Sequence, residues 1–258
     1  MHIIEIYKSL QGESSFAGLP CVFVRLAGCN LRCSWCDSEY TFSGGRKMSD
    51  AEILAEVQRL SPTGGLVEIT GGRKISAPEL LLEVQRLSPS GGLVEITGGE
   101  PMLQERELIP FMRQLLDLGC DSPYQLLLET SGERPLELVP REVHKIVDVK
   151  CPASGEHLRF RPENLATLTP RDELKFVLAS REDYEYARDF IRTHGLESNP
   201  AHLILSPAFR QGAAISRSTE NCLLDPRSLA EWMLADNLNA RLGLQIHKFI
   251  WEPQLKGV

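Results

Sequence analysis

Cys29-Asn30-Leu31-Arg32-Cys33-Ser34-Trp35-Cys36, followed directly by Asp37, is the stretch on which the reading of this chain turns. Three thiols this close cannot pair off as disulfides without leaving one over. They are also one short of a closed tetrahedral zinc site. Three thiolates are the number that holds three irons of a 4Fe–4S cluster and leaves the fourth open to a ligand. The run begins on glycine-led backbone, at Gly28, two residues beyond Val22-Phe23-Val24-Arg25-Leu26, which reads as a buried strand. Further on, Leu93-Val94-Glu95-Ile96-Thr97 reads as another strand and ends in Gly98-Gly99-Glu100-Pro101. A zinc knuckle or unrelated core cysteines would explain the thiols alone, but not both motifs in this order.

The pair of motifs resembles the radical S-adenosylmethionine (SAM) superfamily, which implies an α/β fold. Short β-branched runs at 22–26, 66–70, 93–97, 125–129, 145–149, 174–178, 202–205 and 242–246 alternate with helix-like segments at 51–60, 79–87, 105–118, 182–195 and 227–236. Such alternation implies βα units and a parallel sheet. Some connections, such as that from 129 to 145, are too short for a helix. A partial, open β/α barrel fits better than a closed eight-fold one. The polar segment from Ile6 to Ser15 reads as a turn-prone lead into the first long strand.

Bulk properties narrow the class. A chain of 258 residues suits one α/β domain, 1–258, with a substantial core. A net charge of −7 argues against direct nucleic-acid binding, which wants a basic surface. No apolar run approaches a membrane span, and the first residues lack a signal peptide's pattern. Seven cysteines, an odd number with three in one motif, suit a reducing cytoplasm. Cys21, Cys120, Cys151 and Cys222 lie singly in or beside apolar runs and read as buried thiols.

Residues 46–72 and 73–99 form a tandem repeat, identical at 21 of 27 positions. Each copy opens with a capping box, Ser49 with Glu52 and Ser76 with Glu79, then runs through an amphipathic helix, a turn and a strand. Two copies are too few for a solenoid, so this is a duplicated helix–strand unit. Only the second copy continues into Glu100-Pro101. The resemblance to the radical SAM superfamily implies that the cysteine loop and the glycine turn end neighbouring strands, because SAM must touch both, so strand 93–97 is expected beside 22–26, with part of one repeat unit, most simply 46–72, as a surface excursion.

Further motifs narrow the resemblance. They are Leu10-Gln11-Gly12-Glu13, Arg25 with Ala27-Gly28-Cys29, Cys36-Asp37-Ser38, Glu129-Thr130-Ser131-Gly132, Asp148-Val149-Lys150-Cys151-Pro152, Leu205-Ser206-Pro207 and Gln245-Ile246-His247-Lys248. Together they resemble the 7-carboxy-7-deazaguanine synthase family. The resemblance implies a lyase that converts 6-carboxy-5,6,7,8-tetrahydropterin to 7-carboxy-7-deazaguanine and ammonia, on the route to queuosine and other 7-deazapurines. It implies a 4Fe–4S cluster on Cys29, Cys33 and Cys36, and SAM held by Trp35, Cys36, Asp37, Gly98, Gly99, Glu100, Asp148, Val149, Lys150, Ser206 and Pro207. It implies a pterin substrate held by Leu10, Gln11, Gly12, Glu13, Arg25, Thr97, His247 and Pro253. It also implies Mg2+ near Ser38, a flavodoxin-type reductant and a homodimer.

Several of these residues have plainer readings by themselves. An Arg in a strand is more often an ion-pair partner, Trp35 could be core, and His247, expected on the last strand, could be a satisfied core histidine. Two positions depart from the family pattern. Ser38 stands where threonine is common, keeping the hydroxyl oxygen that a hard cation wants. Some members end at a proline whose carboxylate meets the substrate, whereas this chain continues past Pro253. Two rivals remain: a radical SAM activase acting on a partner protein, and a zinc-stabilised binding module.

Overall fold

The computed structural model describes residues 2–42, 73–74, 77–87, 92–117, 124–198, 202–210 and 219–251. The strands are β1 (His2–Leu10), β2 (Pro20–Leu26), β3 (Arg73–Lys74), β4 (Gly92–Gly98), β5 (Tyr124–Thr130), β6 (His144–Asp148), β7 (Glu173–Leu178), β8 (His202–Pro207) and β9 (Arg241–Leu242). They form one sheet in the order β3-β1-β2-β4-β5-β6-β7-β8-β9. Pairing is parallel from β2 to β9 and antiparallel for β1 with β2 and with β3. The order is linear, so the barrel is open, as the alternating pattern predicts. The helices are α1 (Ala77–Leu87), α2 (Glu105–Asp117), α3 (Arg181–Thr193), α4 (Pro226–Ala235) and the single turn α5 (His247–Ile250).

The parallel strands are buried on both faces, and strand periodicity sorts their side chains. Val22, Val24, Leu26, Val94, Ile96, Leu126, Leu128, Leu174, Phe176 and Leu178 join the larger core, with Leu108, Phe111 and Met112 of α2, Ala187 and Ile191 of α3, and Leu229 of α4. The alternate positions Cys21, Phe23, Leu93, Leu127 and Ile146 form a smaller apolar cluster with Tyr7 and Phe16 on the inner face. On that same inner face the strands place Arg25, Glu95, Thr97, Glu129, Asp148 and Lys175 around a pocket. The apolar cluster is the base from which this polar layer rises.

β2 pairs directly with β4, Arg25 opposite Thr97 and Leu26 opposite Gly98. The strand of the second repeat copy is therefore the one beside the cysteine-bearing strand, as expected. The helix at 51–60, the strand at 66–70, the whole first copy and the Ser76 capping position lie outside the described residues.

Two expectations are corrected. The segment before the first long strand is not a polar lead-in as far as Ser15: residues up to Leu10 form β1, paired with β2 from Ile3 opposite Leu26 to Leu10 opposite Pro20. Its Glu5 and Tyr7 look polar in sequence but are buried partners of Arg25. The strand expected at 242–246 ends at Leu242. Gly243 adds one more bond to Leu205 O, and Ile246 N then donates to Gly12 O, which turns the chain across the pocket. His247 consequently opens a helical turn instead of lying on a strand.

Candidate active site

The pocket has a volume of about 240 Å³. Cys29, Cys33, Trp35, Cys36, Gly98, Gly99, Asp148 and Lys150, from the ends of β2, β4 and β6, line one part of it. Arg25, Glu95, Thr97, Glu129, Lys175, Gln11, Glu13 and His247 line the remainder.

The cysteine loop and the glycine turn are locked together by backbone. Gly99 N donates to Leu26 O at 3.2 Å and Glu100 N to Gly28 O at 2.9 Å. A Cβ on Gly98 would stand 2.3 Å from Leu26 O, and one on Gly99 2.2 Å from Gly28 O. Gly98 also has φ +141°, which L side chains rarely adopt. The opposite rim holds the loop as well: Ser34 N donates to Ser154 O and Ser34 Oγ to Ala153 O, while Arg32 N donates to Glu156. Burial raises the thiol pKa of Cys29, Cys33 and Cys36. Three thiols on one pocket wall, a glycine cradle beside them and a buried Asp148 Oδ1 without a hydrogen-bond partner fit a thiolate-held cluster with a zwitterionic ligand on its open side. Among the described residues, no three His, Cys, Asp or Glu side chains are grouped to hold a single metal ion.

Arg25 is held by its own strand pair. Its Nε donates to Glu5 and its Nη2 to the Tyr7 hydroxyl at 2.6 Å, while Tyr40 also donates to Glu5. Burial opposes the guanidinium charge, but Tyr7, Tyr40 and Glu5 keep its pKa well above the usual value. The cation is fixed in orientation and still reaches the pocket.

The remaining wall is a charged network. Lys175 Nζ donates to Glu129 and, at 2.9 Å, to Glu13. Thr97 Oγ1 donates to Glu129 and Gln245 Nε2 to Glu13. Burial alone would raise the Glu13 carboxyl, yet the charge of Lys175, helped by His247 and Lys248, brings it down to about 2. Glu95 takes the opposite course: burial, then the nearby Glu129 charge, push it up to about 8. His247 is held below the ordinary histidine value by burial.

No protein-family model matches the chain. A 7-carboxy-7-deazaguanine synthase from Koribacter versatilis is 58% identical over 258 residues, covering all of both chains. One from Chlorobaculum tepidum is 39% identical, covering all of this chain and 97% of its own. This chain belongs to the 7-carboxy-7-deazaguanine synthase family. Among solved structures, QueE from Escherichia coli superposes with a TM-score of 0.64 at 26% identity, covering 94% of this chain and 92% of that one. A radical SAM methyltransferase from Sphaerobacter thermophilus shares the fold, with a TM-score of 0.51 at 16% identity over 92% of this chain and 71% of that one. As a 7-carboxy-7-deazaguanine synthase the chain is a radical SAM lyase, and its cofactors are a 4Fe–4S cluster and SAM. That membership sets aside the activase and the zinc module.

Most of the residues that the sequence singles out in this synthase meet at the pocket. Leu10, Gln11, Gly12, Glu13, Arg25, Cys29, Cys33, Trp35, Cys36, Asp37, Ser38, Thr97, Gly98, Gly99, Asp148, Lys150 and His247 all line it. Glu100 does not. It is fully buried, and its carboxylate accepts from Thr130 Oγ1, Ser131 N, Ser131 Oγ and Met102 N. It pins the glycine turn to the end of β5 and has no lone pairs to spare. Val149 packs into the outer core, and Ser206 and Pro207 are buried at the end of β8, away from the pocket lining. The Gln11 amide is also committed: Nε2 donates to Glu95 at 3.0 Å, and Oε1 accepts from Glu13 N and Ser14 N. Pro253 lies outside the described residues, as does Cys120.

Sequence reasoning missed Glu95, Glu129 and Lys175 as pocket residues, along with Tyr7 and Lys248. The signal was available for three of them. With Val94, Ile96, Leu128, Leu174 and Phe176 facing outward, strand alternation puts Glu95, Glu129 and Lys175 inward.

Proposed function

We propose that this pocket binds 6-carboxy-5,6,7,8-tetrahydropterin between Arg25 and the Glu13–Lys175–Glu129 network and converts it to 7-carboxy-7-deazaguanine and ammonia. The observation that carries this reading is the Arg25 clamp. A guanidinium held by Glu5 and Tyr7 while facing the pocket is suited to a small carboxylate ligand. Opposite it, Glu129 and Glu13 offer acceptors to the ring N–H groups, with Lys175 holding both carboxylates in place.

Cys29, Cys33 and Cys36 hold the cluster, and Gly98 and Gly99 let SAM approach the backbone closely. Asp148 and Lys150, paired at 2.7 Å, and the ring of Trp35 complete the SAM side. When bound, the cofactor pair would supply a carbon radical able to remove one hydrogen atom from the substrate, with SAM re-formed at the end of each cycle. The protein positions the reacting carbon, excludes water and retains the substrate through rearrangement. Ser206, Pro207 and Val149 act as support and not as contacts. Ser38, whose Oγ donates to Asp37 at 2.8 Å, is the magnesium ligand, and Lys248 neutralises the same Asp37 at 2.6 Å. Residues 1–258 work as one radical SAM domain in a cytoplasmic homodimer reduced by a flavodoxin-type protein. The duplicated 46–72 is dispensable for the chemistry.

The test is anaerobic incubation of the reconstituted protein with 6-carboxytetrahydropterin, SAM, Mg2+ and reductant. Deazaguanine product and ammonia in equal amounts are expected; SAM cleavage without deazaguanine would refute the reading.

A further inference from the structure

Glu95 sits on β4 one inward position before Thr97, directly above the apolar cluster of Cys21, Phe23 and Leu93. It is 2% exposed, and its Oε2 accepts from the Gln11 amide at 3.0 Å. Three carboxyl groups, Glu13, Glu95 and Glu129, thus meet at this end of the pocket. Lys175 donates to Glu13 and Glu129, Lys248 donates to Asp37 and Gln245, and among the described residues neither lysine donates to Glu95. A buried acceptor in the pocket wall to which no lysine donates calls for a ligand that arrives with surplus donors. The aminopyrimidinone ring of a pterin has such an edge, a 2-amino group beside N3–H, and this edge is remote from the 6-carboxylate that Arg25 receives.

We propose that Glu95 is a specificity-determining residue of this site, its carboxylate receiving the paired 2-amino and N3–H donors of the pterin ring. The inference rests on the pterin reading above. It has a consequence that a merely structural carboxyl lacks. In the free site burial and the Glu129 charge raise the Glu95 carboxyl to about 8, so it carries a proton at neutral pH. A two-donor edge can bond only to the ionised form. Docking therefore breaks the carboxyl O–H, the proton passes to solvent, and the ring keeps both of its hydrogens.

The shifts of the groups facing Glu95 run away from its own value near 8. Tyr7 on β1 is raised to about 12 by burial, and Cys21 on β2 is raised further still. Glu13 of the loop before β2 is held to about 2, and Lys175 on β7 stays charged well above its usual range. His247, which faces Glu13 from α5, is pushed below the usual histidine value by burial. Glu129 on β5 is the ion partner of Lys175, and Gln11 does not titrate.

The experiment is calorimetric titration of 6-carboxytetrahydropterin into the reconstituted SAM-bound enzyme, under anaerobic conditions, in buffers of different ionisation enthalpy. With a carboxyl near 8, wild type should release about 0.9 proton per ligand at pH 7, and its affinity should rise by about tenfold per pH unit up to pH 8, then level off. Glu95→Gln should bind more weakly and show no slope. The analogue with an oxo group in place of the 2-amino group should bind wild type about 10–100-fold more weakly, as expected for losing a hydrogen bond to a charged group. Glu95→Gln, whose amide donates to an oxo group, should lose most of that preference. A pH-flat wild type without proton release, or a Glu95→Gln variant with the wild-type slope and preference, would overturn the inference alone. Wild type that binds no 6-carboxytetrahydropterin at any pH would overturn the pterin reading as well.

Discussion

Replacing Gly99 with alanine tests how tightly the two motifs of this fold are coupled. The new Cβ would lie 2.2 Å from Gly28 O and 2.7 Å from Cys29 Cβ, against an ordinary contact of 3.4 Å or more. Relief therefore needs a shift of about 1.2 Å. The obstructing atom is backbone, and Gly28 O is already engaged by Glu100 N. Most of the shift must fall on the cysteine loop. Metal–ligand distances hold to about 0.2 Å, so Cys29 would be displaced several times beyond that tolerance. Overpacking of this kind costs about 1–3 kcal/mol, and each kcal/mol lowers Tm by about 2–4 °C in a protein of this size. The fold should survive with a modestly lower Tm. Iron bound after anaerobic reconstitution should fall below half of wild type, and the absorbance near 400 nm with it. Gly195→Ala is the control: Gly195 has φ +62° at the end of α3 with no atom near a Cβ, so it pays backbone strain of about 1–2 kcal/mol far from the cysteines. It should lose comparable stability and keep its iron. A Gly99→Ala protein with wild-type iron and SAM cleavage would refute the coupling.

Other perturbations address separate parts of the account. Cys29→Ala, Cys33→Ala or Cys36→Ala should each abolish SAM cleavage and lower cluster iron, while Cys21→Ala and Cys222→Ala leave the visible spectrum intact. Arg25→Lys should raise the KM for 6-carboxytetrahydropterin at least tenfold, because a point charge cannot serve Glu5, Tyr7 and a ligand carboxylate together; SAM cleavage without substrate should change little. Lys175→Met leaves two carboxylates without their buried cation and should cost about 3–5 kcal/mol in denaturant unfolding. Glu13 has a depressed carboxyl, so its stabilisation is complete above its unfolded value near 4.5 and is lost as pH falls through about 2; Lys175→Met should flatten that acid limb of the stability profile.

The parallel strands were legible because their outward faces carry β-branched, aliphatic and aromatic residues, and four of the expected helices, 79–87, 105–118, 182–195 and 227–236, coincide with α1 to α4. β1 was hidden for a physical reason. Its Glu5 and Tyr7 interrupt the apolar pattern of a strand, and only the pairing with β2 shows them as partners of Arg25. Residues 242–246 were read as strand, with His247 on it, because apolar spacing cannot reveal that Ile246 is turned by a bond to Gly12, more than two hundred residues earlier. In the site, local motifs picked out the thiols and the glycine pair, which the structure brings to one pocket. Glu100 and the Gln11 amide were expected at a ligand, and their hydrogen bonds run within the protein. The interior charges were overlooked because Glu95, Glu129 and Lys175 lie on three different strands, and only the sheet order brings them together.

The central claim is that this pocket carries out a pterin-to-deazaguanine conversion in which SAM is restored after each cycle. It is tested most directly by supplying the reconstituted enzyme with excess 6-carboxytetrahydropterin, Mg2+, reductant and one equivalent of SAM. The account predicts several equivalents of 7-carboxy-7-deazaguanine with little SAM consumed. One product or fewer per SAM cleaved would contradict it.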